Sequence, residues 1–309
     1  MDIAVVYHSI FLIALLITLG AITAREYKLN NDTRQMYMTL IIKVAMPSII
    51  LSSIFKVDID SKIFKTLALI FFISILINLL GLLMGFIISI LFKLHHKRIE
   101  IAILSAFGNT GFIGIPLCAV LFGPEGALYA AIFDAGVDFT IWTLGVFIIQ
   151  RNKTFNLQTL KGMINIPLLA IIIGLSIAFL NISVPEIVID LSDSLAAFAV
   201  PLAMFYIGAT MSQYKSFSKS ISYIELIIPV LVKLILLPLL VVTLVLFSTL
   251  NELTSYVIIV QSMMPALTLS SILFAKHSRD ENFGAFVTVI STIISLLTIP
   301  GILFFIDFT

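Results

Sequence analysis

Charge is what this sequence has least of: Asp, Glu, Lys and Arg make up only 11% of its 309 residues, against 60% hydrophobic. A soluble domain carries about a quarter charged residues. With a mean hydropathy of +1.17, the chain reads as a polytopic membrane protein. A single cysteine, Cys118, excludes an intrachain disulfide and a cysteine metal cage. The four histidines, His8, His95, His96 and His277, lie near span ends or in loops, and no two have metal-ligand spacing within a span. No metal site is therefore expected. A net charge of +1, with no basic run among aromatics, gives no sign of nucleic-acid binding. There is no His-Glu-x-x-His helix, aspartate-rich prenyltransferase motif or Gly-x-Ser-x-Gly elbow, so an enzyme is not expected. The first charge is Asp2 and no Lys or Arg precedes Arg25, unlike a signal peptide. The first apolar run is read as a retained span.

What the sequence has in abundance is membrane-length apolar runs. A crossing helix needs about 20 mostly apolar residues. Ten segments qualify: 3–24, 35–55, 64–92, 100–122, 126–150, 162–181, 191–211, 222–249, 253–274 and 283–306. The loops after the odd-numbered spans hold Arg25, Lys28, Arg34, Lys93, Lys97, Arg98, Arg151, Lys153, Lys161, Lys215, Lys219, Lys276 and Arg279. The other side holds only Lys56, Lys62 and Lys65. Positive charge favours the cytoplasm, so both termini are expected to be extracytoplasmic, in a multi-pass protein of the cell membrane. Ten spans divide into five plus five, and an odd number per half forces the halves into inverted orientation. Spans 2 and 7 each carry a mid-span proline, Pro47 and Pro201. The expected fold class is all-α, with two inverted five-helix repeats at residues 1–155 and 156–309.

Spans 4 and 9 are interrupted. Gly108-Asn109-Thr110-Gly111-Phe112-Ile113-Gly114-Ile115-Pro116 breaks one, and Met263-Met264-Pro265-Ala266-Leu267-Thr268 breaks the other. Hydrocarbon cannot solvate free N–H and C=O groups, so a broken helix at this depth must sit inside protein or beside a water-filled cavity. At a rise of about 1.5 Å per residue, Asn109 lies about 13 Å and Pro116 about 24 Å from the cytoplasmic entry of span 4. Pro265 lies about 16 Å from the outer entry of span 9. Both breaks straddle the midplane, the place where paired interrupted spans mark a transporter's binding site. Opened helix N-termini there would favour an anion. The candidate substrate-binding residues are Gly108, Asn109, Thr110, Gly111, Pro116, Gln261, Ser262 and Pro265. The plainer alternative is that the glycines and Pro265 only allow kinks and close packing.

Ionisable residues inside the spans form a second constellation. Asp134 and Asp138 are four apart on span 5, hence on one helical face, at depths of about 12 and 18 Å. Lys233 lies about 17 Å along span 8, between Pro229 and Pro238. Two carboxylates one turn apart repel if both ionise, which makes the pair a candidate proton or sodium site. Lys233 is then a counter-ion or an attractor for anionic substrate; the alternative is a static ion pair joining spans 5 and 8. Glu225 is close enough to the cytoplasmic face to snorkel, and His95-His96 reads as part of a solvated turn.

The run Gly108-Asn109-Thr110-Gly111-Phe112-Ile113-Gly114-Ile115-Pro116-Leu117 resembles the signature of the auxin efflux carrier family, which includes plant PIN auxin carriers and bacterial carriers of malate and malonate. The resemblance implies a crossover of broken spans 4 and 9 with substrate near it. It also implies a scaffold of spans 1, 2, 6 and 7, and a transport domain of spans 3–5 and 8–10 that moves like an elevator. Asn109 and Pro116 match the first crossover, and Pro265 the second. The short stretch from Arg151 to Lys161 replaces the long hydrophilic loop of the PIN carriers, which argues against auxin as substrate. The related bile-acid/sodium symporters share the plan and keep sodium coupling open. The expected function is secondary active transport of a small organic anion, a mono- or dicarboxylate, with no cofactor beyond H+ or Na+ coupling. A membrane anion sensor is the alternative. The expected assembly is a homodimer in the bilayer.

Overall fold

A computed structural model describes residues 3–26, 30–150, 164–213, 222–277 and 279–307. Lys28, Arg151, Lys153, Lys161, Lys215 and Lys219, which enter the charge count above, lie outside the described residues. Among the described residues the chain is all helical and forms no strand. The first helices are α1 (Ile3–Thr23), α2 (Asn31–Leu40), α3 (Met46–Lys56), α4 (Ser61–Leu91) and α5 (Arg98–Ala106). There follow α6 (Ile115–Thr140), α7 (Val146–Ile149), α8 (Ile166–Phe179) and α9 (Glu186–Gln213). The last are α10 (Tyr223–Leu231), α11 (Leu237–Leu246), α12 (Glu252–Ser262), α13 (Ser270–Lys276) and α14 (Glu281–Asp307). Among the described residues, six helical segments are long and apolar enough to cross a bilayer: 32–56, 61–91, 110–149, 186–212, 223–246 and 281–305.

Local chemistry explains where these helices bend and stop. Pro47 and Pro238 lack the N–H that would bond the carbonyl four residues back. Each follows a π-helical turn, Ile41–Ala45 and Val232–Leu236, which absorbs the mismatch within a continuing helix. Gly123, at φ 68 and ψ −158, turns the chain inside α6 just before Pro124, where spans 4 and 5 were expected to part. Asn30, Asn165 and Asn251 cap α2, α8 and α12 by accepting from a backbone N–H three residues on.

The chain divides into two compact units, each held by its own packing. Unit 1 comprises Met1–Ile70, Gly111–Ile132 and Ile164–Lys215. In it α1 packs along α9, and α3 packs on α8 and α9. Small residues set the α1–α9 distance. A Cβ on Gly20 would lie 2.6 Å from Phe205 Cα, and one on Gly208 would collide with the Ile17 carbonyl. Asp193 of α9 accepts from Ser52 at 2.5 Å and pairs with Lys56 at 2.7 Å.

Unit 2 comprises Phe71–Thr110, Phe133–Met163 and Ser216–Thr309. Gly81 and Gly85 of α4, four apart, lie against α5, where added Cβ atoms would come within 2.7 Å of Ala106 Cα and 2.8 Å of Ala102 Cα. Gly136 plays the same part against α4, 2.8 Å from the Phe71 carbonyl, and Ser74 Oγ donates to Phe133 O at 2.7 Å. The N-terminal ends of α5, α10 and α14 are tied by charge. Lys97 Nζ lies 3.5 Å from Glu225 and 2.9 Å from Asp280, and His96 Nε2 lies 2.7 Å from Glu225 Oε1. Arg279 lies 3.7 Å from Glu100 and donates to Ile149 O at the end of α7. Glu225 is therefore buried rather than snorkelling, because α5 and α14 pack around the start of α10. Asp280 also accepts from Phe283 N at the start of α14. Burial pushes its carboxyl up, but that backbone bond and Lys97 outweigh burial and hold it below the usual carboxylate value.

Candidate substrate site at the joined helix breaks

Within unit 2 the two interruptions meet. Helix α5 ends at Ala106, and Phe107 turns extended at φ −85 and ψ 118. Gly108 and Ala266 then form an antiparallel bridge. Asn109 N donates to Pro265 O at 2.7 Å, and Leu267 N donates to Phe107 O at 3.0 Å. These bonds pair backbone groups released by one break with groups released by the other. Pro265 contributes its carbonyl alone, having no N–H to leave unpaired.

Side chains from α14 complete the lining of the second break. Ser291 Oγ accepts from Ala266 N at 3.1 Å, and Thr288 Oγ1 donates to Leu267 O at 3.0 Å. Ser270 and Thr288 hydroxyls lie 3.0 Å apart. Asn109 Nδ2 donates to Thr268 Oγ1 at 2.7 Å, while its Oδ1 is buried with no hydrogen-bond partner. The sequence reading missed Thr288 and Ser291, although Thr288, Ser291, Thr292 and Ser295 recur on one face of α14.

Among the described residues, Asp134 and Lys233 are not paired with each other. Asp134 accepts a short hydrogen bond from Thr110 Oγ1. Lys233 is 2% exposed and donates instead to two backbone carbonyls, Ala106 O at 3.2 Å and Ser262 O at 3.3 Å. These are the last residues of α5 and α12. The helix ends gathered at Lys233 are thus C-terminal, where partial charge is negative and an ammonium is favoured. The partners of the Lys233 ammonium are carbonyl dipoles. Asp138 is half-buried one turn beyond Asp134 on α6.

Of the remaining expected site residues, Gly108, Gln261, Ser262 and Pro265 are buried in unit 2 with Asn109 and Thr110. Gly111 and Pro116 are buried in unit 1. Gly108 is closely surrounded: an added Cβ would lie 3.0 Å from Lys233 Cε, 3.1 Å from Nζ and 3.2 Å from Met264 O, so these neighbours would have to give by a few tenths of an ångström.

Long apolar helices and two helix breaks joined by backbone bonds fit a multi-pass membrane transporter, the class that the comparisons support. The chain belongs to the membrane transport protein family, the auxin efflux carrier group, whose profile matches residues 5–159 and 153–303. It is 27% identical over 299 residues to a protein of Methanocaldococcus jannaschii named an uncharacterized transporter, covering 94% of this chain and 95% of that one. A protein of Methanothermobacter thermautotrophicus, also named an uncharacterized transporter, is 24% identical over 299 residues, covering 95% and 96%.

Proposed function

We propose that this transporter is a secondary active carrier of small organic anions, mono- or dicarboxylates, working by elevator-type alternating access in the cell membrane. The observation that carries the reading is the joined pair of breaks with Asn109 buried beside it and one end of its amide uncommitted. A buried amide oxygen without a partner costs about 1–3 kcal/mol. Turning the amide over would let the Thr268 hydroxyl donate to the oxygen and leave an N–H free for a carboxylate. In this reading the chain crosses the bilayer ten times, as inverted repeats over 1–155 and 156–309 with both termini extracytoplasmic. Unit 1, which contains α1–α3, α8 and α9, supports the assignment of spans 1, 2, 6 and 7 to a scaffold. Unit 2, with the joined breaks, is the counterpart that moves. The boundary falls inside spans 3, 4 and 5, so the moving body is smaller than whole spans would make it. Asp134 and Asp138 serve coupling.

Counterflow into proteoliposomes tests the proposal. Labelled mono- or dicarboxylate should enter vesicles preloaded with the same compound. Asn109→Ala should weaken substrate binding on the order of ten- to hundredfold in protein that still folds, as expected for losing one hydrogen bond to a charged group. Asp134→Asn/Asp138→Asn should flatten the pH dependence of net uptake while exchange persists. If no carboxylate exchanges faster than in protein-free vesicles, the carrier reading fails. If the double variant keeps its pH and sodium dependence, the carboxylates are structural.

A further inference from the structure

We propose that Lys233 is a built-in cation: its ammonium fills a seat between two helix C-termini that would otherwise call for a small monovalent cation from solution, and emptying that seat turns it into a cation site. The charge balance points this way. Each helix C-terminus carries roughly half a negative elementary charge. Two of them, α5 at Ala106 and α12 at Ser262, converge on one ammonium of unit charge. Lys233 forms no ion pair among the described residues and is 2% exposed, so these dipoles are what compensate it. A buried charge without compensation is strongly disfavoured, and so is a buried pair of like-signed helix ends.

The backbone is shaped around this side chain. Gly108 gives the room, since a Cβ there would press on both Cε and Nζ. The seat is lined by carbonyl oxygens, the hard ligands that suit alkali cations and ammonium. The lysine stem also tethers the charge from α10–α11, so α5, α12 and the helix bearing Lys233 are locked at one point. The role is separate from anion binding and from the carboxylates of α6.

Thermal midpoints of the purified protein, at one ionic strength in choline, sodium, potassium or methylammonium chloride, test this without any substrate. The wild-type protein should melt within about 1 °C in choline, potassium and methylammonium. Lys233→Ala should melt lower in choline, on the order of 3 °C or more, and should regain part of the loss in at least one small cation, with a gain that grows with the logarithm of its concentration. Lys233→Met refills the volume with no charge and should stay low in every salt. If the alanine variant does not fold, Lys233→Gln keeps one N–H donor without the charge and should melt below wild type in every salt. The proposal is overturned by wild-type midpoints for Lys233→Met or Lys233→Gln in choline. It is equally overturned by a Lys233→Ala protein that no small cation stabilises, relative to choline, more than it stabilises the wild type.

Discussion

Alanine in place of Gly108 would set a methyl carbon 3.0 Å from Lys233 Cε and 3.1 Å from Nζ. The lysine cannot simply swing away, because its ammonium is held at 3.2 and 3.3 Å by Ala106 O and Ser262 O. A retreat of a few tenths of an ångström would stretch both bonds. Overpacking of this kind costs about 1–3 kcal/mol. Against it stands a gain of about 0.4–1 kcal/mol from reduced freedom of the unfolded chain, available because Gly108 does not need a positive φ. Gly108→Ala should therefore destabilise by about 1–2 kcal/mol. In a Lys233→Ala background the clash is gone and the entropic gain remains, so the same substitution should become neutral or slightly stabilising. The contact with Met264 O at 3.2 Å is present in both backgrounds and cancels. The coupling between the two positions is then about 1–3 kcal/mol. Thermal midpoints of the four proteins, in one detergent and one salt, measure it, at roughly 2–4 °C per kcal/mol for a chain of a few hundred residues. An equal loss from Gly108→Ala in both backgrounds would refute the reasoning, since the methyl would then be meeting something other than Lys233.

Gly208→Ala should abolish close packing of α1 on α9, because the new Cβ meets the Ile17 carbonyl and backbone cannot yield as a side chain does. A loss of about 3 kcal/mol or more, read as aggregation in size-exclusion chromatography, is expected, whereas Gly301→Ala, with nothing within 4 Å, should hold or gain about 0.5 kcal/mol. The Asp280 carboxyl, lowered on folding, gives stability that is present above its ordinary value and lost as pH falls through the folded value. The midpoint of wild-type protein should thus exceed that of Asp280→Asn near neutrality, and the gap should close below about pH 4; a gap constant with pH would sink this account.

How much of this was legible before the structure depends on what each residue leaves in a sequence. Gly108, Asn109 and Pro265 stand out because polar and helix-breaking residues are rare in an apolar run, so the breaks were visible. Their joining by a bridge was not, because backbone hydrogen bonds carry no residue signature. Lys233 was equally visible as a buried charge, and its true partners were hidden for the same reason: they are carbonyls of Ala106 and Ser262. An acidic partner was the natural guess, and Asp134 instead engages Thr110, 24 positions away. Thr288 and Ser291 were passed over because a hydroxyl in an apolar helix usually bonds its own preceding turn, and Thr288 does that as well as reaching Leu267. Glu225 looked solvated from its place near a helix start, and only packing against α5 and α14 buries it.

Several helix ends of unit 2 are compensated by charge, and that narrows where a ligand can act. The N-terminal ends of α5, α10 and α14 carry Glu100, Glu225 and Asp280, the sign that favours a helix start. Those acids are in turn paired with Arg279, His96 and Lys97. The C-terminal ends meet cations: Arg279 at Ile149 O, and Lys233 at Ala106 O and Ser262 O. With those ends neutralised from within, the proposed anion would find no uncompensated cation at Lys233 to bind as a salt. What the breaks would offer it under the proposed function is neutral and directional: the Asn109 amide and the Thr268 hydroxyl on which it rests. Neutral donors bind a carboxylate less tightly than a free ammonium would, and a carrier has to release its cargo on the far side.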